Sequence, residues 1–184
     1  SSSDNHMTSH ERRATASLTS VFALRMLGLF LVLPVFALEA ASYPGGLDAA
    51  RVGFAMGVYG LTQACLQIPF GIASDRFGRK PVMLLGLAIF ALGSVVAAMA
   101  ASVDGLLVGR ALQGAGAISA AVTALLADMT RSQVRTKSMA LVGISIACMF
   151  MLSLALAPVL ASHVGLSGLF ALTAALAVSG MAVV

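Results

Sequence analysis

Residues 71–81 read Gly71-Ile72-Ala73-Ser74-Asp75-Arg76-Phe77-Gly78-Arg79-Lys80-Pro81, the one densely charged turn between two long apolar runs. Gly71 and Gly78 permit close backbone approach and positive φ. Asp75 is set among three cations, Arg76, Arg79 and Lys80, within one short turn. Pro81 is expected to open the next helix at its first position, where a missing N–H costs nothing. The stretch predicts a tight loop on the cytoplasmic side of a membrane.

The composition around it agrees. Of 184 residues, 59% are hydrophobic and only 10% charged, with a mean hydropathy of +0.99, far from the roughly half-apolar, quarter-charged norm of soluble domains. Such a chain belongs in lipid. The net charge of +4 comes from short basic clusters between apolar spans, a distribution that controls topology rather than binding phosphate, so no nucleic-acid partner is expected. Cys65 and Cys148 fall inside apolar runs, where a thiol acts as a small hydrophobe. No Ser/His/Asp, Cys/His or metal-ligand cluster is present in the sequence, and neither an enzyme nor a metal site is expected.

A hydrocarbon core of about 30 Å needs about 20 apolar residues per helix. Six runs meet that length, at 16–38, 52–74, 81–101, 105–127, 138–160 and 166–184. Each is predicted helical, because an open strand edge in lipid leaves backbone groups unpaired. Arg12 and Arg13 precede the first run, Arg76, Arg79 and Lys80 follow the second, and Arg131, Arg135 and Lys137 follow the fourth. The opposite side has only Arg51, beside Glu39 and Asp48. Both ends of the chain are therefore expected in the cytoplasm.

The pattern G-x-x-x-D-R-x-G-R-K at 71–80 resembles the loop between the second and third helices of the major facilitator superfamily of transporters; Ala73 stands where the family usually has leucine. In the first run, Leu27-Gly28 and, after five residues, Pro34-Val35 resemble a signature of the twelve-helix drug/proton antiporter branch, and Gly28 and Pro34 are read as a helix bend. In the fourth, Arg110-x-x-Gln113-Gly114-x-Gly116 resembles the family motif whose arginine is implicated in proton coupling. The fifth-helix signature is degraded here: Gly143 and Pro158, a further bend candidate, are what remain of it. The resemblance implies a conformational latch built from Gly71, Asp75, Arg76, Gly78, Arg79, Lys80 and Asp128. Asp128 would pair with Arg79 or Arg76, and Asp75 would face a helix N-terminus in another half.

Polar residues inside the runs need a place to go. Arg110 is the coupling candidate, facing a cavity unless it snorkels to the outer interface. Arg25, Thr62, Gln63, Gln67 and Gln113 are candidates for a substrate cavity, and bundle-stabilising hydrogen bonds are the alternative. Gly53-x-x-x-Gly57 with Gly60, and Gly105-x-x-x-Gly109, mark close-packing stripes. No Asp or Glu lies mid-span, so a proton carrier is not evident.

The expected organisation is an expression scar at 1–6, a cytoplasmic arm at 7–15 and an all-α bundle of six transmembrane helices at 16–184, equivalent to the amino-terminal half of a major facilitator transporter. The implied function is secondary transport by alternating access in a bacterial inner membrane: export of small amphipathic compounds, driven by a proton gradient and without a cofactor. A bundle exposing Arg25, Gln63, Gln67 and Gln113 to lipid would need a second six-helix half, a homodimer partner being the expectation. The rival expectation is a membrane module that does not transport, or a truncated fragment of a longer transporter.

Overall fold

The computed structural model describes residues 6–116 and 118–184, and among them every regular element is an α-helix. Of the expected expression scar, residues 1–5 lie outside the described residues. The helices are α1 (Ser9–Val32), α2 (Phe36–Ala40), α3 (Ala49–Phe77), α4 (Arg79–Ala98), α5 (Val103–Ala115), α6 (Ser119–Met129) and α7 (Ser132–Val183). Four stretches are long and apolar enough to cross a membrane: α1, α4, the α5–α6 stretch Val103–Met129, and α7. The 29-residue α3 falls outside that set. It is long enough, but Tyr59, Thr62, Gln63 and Gln67 dilute its apolar character.

Helix α1 starts earlier than the expected arm boundary. Thr8 and Glu11 form a reciprocal cap in which the Thr8 hydroxyl accepts from the Glu11 N–H at 3.2 Å and the Glu11 carboxylate accepts from the Thr8 N–H at 2.9 Å. Two orphan donors of the first turn are thereby satisfied. At the other end Pro34 does more than bend the helix. It lacks the N–H that would continue the ladder, α1 ends at Val32, and the chain resumes as the short α2. Gly28 lies inside α1, and a Cβ there would lie 2.8 Å from the Thr173 methyl, so it permits close packing of α1 on α7.

The charged loop at 71–81 contracts to a single residue. Gly78, at φ 102° and ψ 153°, is the one non-helical position between α3 and α4, in a region that a Cβ disfavours. Asp75 and Arg76 belong to the last turn of α3, and Arg79 and Lys80 open α4. Pro81 is the third helical residue rather than the first, still inside the turn whose N–H groups lack intrahelical partners.

One further break was not foreseen. The expected helix over 105–127 divides near Gly116, whose φ/ψ of −83°/50° is non-helical, and α6 resumes at Ser119. Conversely, no loop separates the last two expected helices. Helicity runs through 162–164, and Gly165 alone departs from it, at φ 69° and ψ −176°. The chain doubles back there. Ser138 and Ser153 meet Thr15 and Leu27 in ascending order, whereas Thr173 meets Gly28 and Gly180 approaches Val21 in descending order. Pro158 lies within the helical first arm and is not the reversal point.

The core is split. One buried cluster, including Phe36, Val103, Leu106 and Phe170, lies towards the end where Arg51 faces Asp104. A second, including Phe22, Met83, Leu87 and Leu126, lies towards the end carrying Arg79 and Asp128. Between them lies a layer of polar side chains, with a small third cluster of Leu29, Phe90, Ala91 and Ala177 beside it.

Candidate functional site

That layer is built around two buried guanidinium groups. Arg110 of α5 is 2% exposed and donates to the Met56 carbonyl of α3 at 3.0 Å and to the Gln113 side-chain oxygen at 3.3 Å. Gln113, fully buried, donates onward to Ser94 at 2.9 Å, and Ser94 donates to the Phe90 carbonyl at 2.8 Å. Arg25 of α1 is 1% exposed, donates to the Gly116 carbonyl at 3.1 Å, and stands 4.6 Å above the Phe90 ring centre. Tyr59 lies between the two cations, its ring 5.8 Å from Arg25 and 5.1 Å from Arg110.

This arrangement solves a specific problem. An unpaired charge away from water is costly, and no carboxylate bridges to either arginine among the described residues. Carbonyl oxygens and aromatic faces stand in for it, each supplying partial negative charge. The substitution is incomplete: both Nε–H groups and the Tyr59 hydroxyl remain without partners. The site can therefore hold two permanent positive charges at mid-bundle with spare donors beside them.

Placement differs from the expected cavity wall. Arg25 and Gln113 are enclosed by their own bundle and do not wait for an outside cover, because helices α1, α3, α4 and α5 meet at this depth. Arg110 faces inward and does not snorkel. Thr62 donates to the Ala111 carbonyl of α5 at 2.9 Å, and Gln67 donates to Ser119 of α6 at 2.6 Å, leaving its Oε1 unpartnered. Both are interhelical ties, and Gln63 is half-buried. Close approach of α3 and α5 depends on Gly114, where a Cβ would overlap the Thr62 hydroxyl and the Tyr59 carbonyl. Sequence reasoning missed Tyr59 and Ser94. A tyrosine one turn before Thr62 and Gln63 was the available signal for the first; nothing local marked the second.

The charged turn forms a second centre. Arg79 donates from Nε to Asp128 at 3.1 Å and from its terminal nitrogen to Ser74 at 2.8 Å and to Asp75. One guanidinium thus joins the end of α3, the start of α4 and the end of α6. The carboxylates also offset the unfavourable meeting of two cations, Arg79 and Lys80, with the positive end of α4. Asp75 and Asp128 are 69% and 56% exposed. Gly71 sits one turn before this cluster with Ala120 at ordinary contact distance, while Arg76 and Lys80 make no ion pair among the described residues.

A third tie, unforeseen, lies close by. Glu11, in the polar first turn of α1 ahead of the apolar stretch, accepts from the Arg131 backbone N–H at 2.8 Å and from its Nε at 3.1 Å. These bonds, with the Thr8 N–H, hold its carboxyl down to about 2 against partial desolvation.

The comparisons with known proteins fit this architecture. A family model described as Major Facilitator Superfamily matches residues 18–184. The chain is 52% identical over 179 residues to the inner membrane transport protein YajR of Escherichia coli (strain K12), an alignment covering 97% of this chain and 39% of that protein. It is 42% identical over 174 residues to an uncharacterized transporter of Buchnera aphidicola subsp. Schizaphis graminum, covering 95% and 44%. The human organic anion transporter MFSD10 (TETRAN) superposes with a TM-score of 0.81 at 24% identity, over 96% of this chain and 47% of that one. The POT family transporter PepTSo gives 0.82 at 16% identity, over 93% and 36%. The chain spans about two fifths of the length of the curated relatives it matches.

Proposed function

Because the chain belongs to the major facilitator superfamily, we propose that it forms a six-helix half of a secondary transporter working by alternating access, with the substrate cavity between it and a second six-helix bundle. On this reading α7 supplies the fifth and sixth helices, folded back at Gly165. The activity is export of small amphipathic compounds against proton entry, powered by the proton gradient with no cofactor. The membrane is a bacterial inner membrane. Both ends of the chain lie on its cytoplasmic side, the end at which the ties through Arg79, Glu11 and Arg131 gather the basic residues.

The observation that carries the reading is the Arg79 clasp across Gly78. Its carboxylates are largely exposed, so each ion pair is weak. Such a contact forms and opens readily, as a latch between inward-open and outward-open states must. Arg110 is the opposite case. Held on a carbonyl and Gln113 in the dry interior, it is suited to sensing a change in charge nearby and is the coupling candidate.

A second bundle is supported by what this one leaves uncovered. Gly53, Gly57 and Gly60 on α3 and Gly143 on α7 have no atom within 4 Å of where a Cβ would stand. Large apolar side chains beside them are open, among them Phe54, Leu61, Ile68, Ile144 and Met151. A second copy of this chain fits that role; the relatives, more than twice as long, carry enough additional chain to supply it themselves.

Reconstitution tests the proposal. Proteoliposomes holding the chain should move an amphipathic dye in a direction set by an imposed pH gradient, and Asp75→Asn should abolish the movement. Gradient-independent dye traces from a cross-linked dimer would overturn it for the chain as a pair. The rival reading, a bundle inert by itself, is favoured by the two-fifths coverage. It requires flux only after a second bundle is co-reconstituted.

A further inference from the structure

A cavity of about 600 Å³ lies apart from the polar layer, between the first turns of α1 and of α7. Thr15 donates to Ser138 at 3.1 Å and pins the two helices side by side. Arg12 and Lys137 line one end of the cavity; Ser20 and Ser145 line the other. Eight residues separate these ends on each helix, about 12 Å of helical rise. Between them Ala16 and Leu141 form an apolar wall, and no acidic side chain is among the described residues that line it.

The chemistry of this slot is specific. Two cations at the mouth attract an anion. An apolar wall running inward from the charges requires that the anion carry a hydrocarbon body. Basic pockets between transmembrane helices on the cytoplasmic side take acidic headgroups for this reason. We propose that the cavity binds the phosphate or carboxylate headgroup of an anionic amphiphile at Arg12 and Lys137, with its chain lying along Ala16 and Leu141. Two sources share that chemistry: an acidic phospholipid of the bilayer and a soluble anionic amphiphile. The proposal rests on the cytoplasmic placement of this end given under the proposed function, but not on transport, since it concerns binding alone.

Native mass spectrometry of the detergent-solubilised chain separates the outcomes. The probes are dioleoyl phosphatidylglycerol, dioleoyl phosphatidylcholine and octyl phosphate. Selective retention of phosphatidylglycerol over phosphatidylcholine is expected. It should weaken roughly tenfold or more in the R12Q/K137Q double variant. Arg13→Gln is the control: it removes the neighbouring charge, but Arg13 lines a different cavity on α1, with Lys80 and Val184. Retention of octyl phosphate alone, lost in the same double variant and kept in Arg13→Gln, supports the site with a soluble amphiphile as its source. Equal losses in Arg13→Gln and R12Q/K137Q overturn the proposal in favour of unspecific surface attraction. So does retention of neither anion.

Discussion

The Arg25 guanidinium donates to the Gly116 carbonyl at 3.1 Å, joining the middle of α1 to the point where α5 gives way to α6. A helix that breaks at mid-bundle frees carbonyl groups where no water can reach them. The arginine supplies the missing donor and rests on Phe90, so a costly cation and a costly helix break satisfy each other.

Replacing Arg25 should show this. Arg25→Ala removes the donor and the stacked side chain together and is expected to cost about 2–4 kcal/mol. Arg25→Lys keeps the charge but lacks the planar face that lies on Phe90, and should fall between the two. Thermal unfolding in detergent reads both. An alanine variant that melts with the parent would mean that the break at Gly116 needs no brace.

The Arg79–Asp128 pair is a weak contact by construction. A double-mutant cycle with Arg79→Gln and Asp128→Asn should give only a small coupling. The coupling should shrink as ionic strength rises, because the carboxylate is open to solvent. A coupling several times larger and indifferent to salt would mark a structural tie rather than a latch.

Glycines separate by what faces them. Gly114→Ala drives a methyl group into the Tyr59 carbonyl, a backbone atom that cannot swing aside, and should cost roughly 1–3 kcal/mol. Gly57→Ala meets open space and should leave the stability of the chain unchanged or raise it by up to ~1 kcal/mol, the ordinary helix preference for alanine over glycine. Yet the same change should impair transport if α3 packs on a second bundle. Denaturation of the isolated chain and dye flux in proteoliposomes, measured on the same variant, distinguish the two effects.

The Glu11 carboxyl titrates at about 2 in the folded chain against an ordinary value of 4.5. The lowered value means that its bonds to Arg131 and Thr8 stabilise the fold fully above pH 4.5. That contribution declines as pH falls from there through about 2. Glu11→Gln should therefore lower the melting temperature by a constant amount above about pH 5, and the gap should close on acidification. A gap independent of pH down to 2.5 would show that the charge is not what matters.

Much of the fold was legible because its cause is local. Hydropathy summed over about 20 residues decides whether a segment lies in lipid, and lipid then dictates the helix. The same local logic placed Gly78, where the turn needs a backbone without a Cβ, and the charged cluster around it. Proline is less legible: Pro34 ends α1 outright, while Pro69 and Pro158 lie inside continuous helices, since the outcome depends on whether neighbouring groups satisfy the freed carbonyl.

The sequence by itself determined that this chain is helical, apolar and basic at one end, with a charged hairpin between α3 and α4. Only the tertiary structure decided that Arg25 and Gln113 face inward, that Tyr59 lies between two cations, and that Ser94 completes the relay. Each of those side chains is oriented by partners 19 to 91 residues away. Burial of a charge depends on which carbonyls and rings arrive at the same depth, a property of how helices pack and not of any one of them.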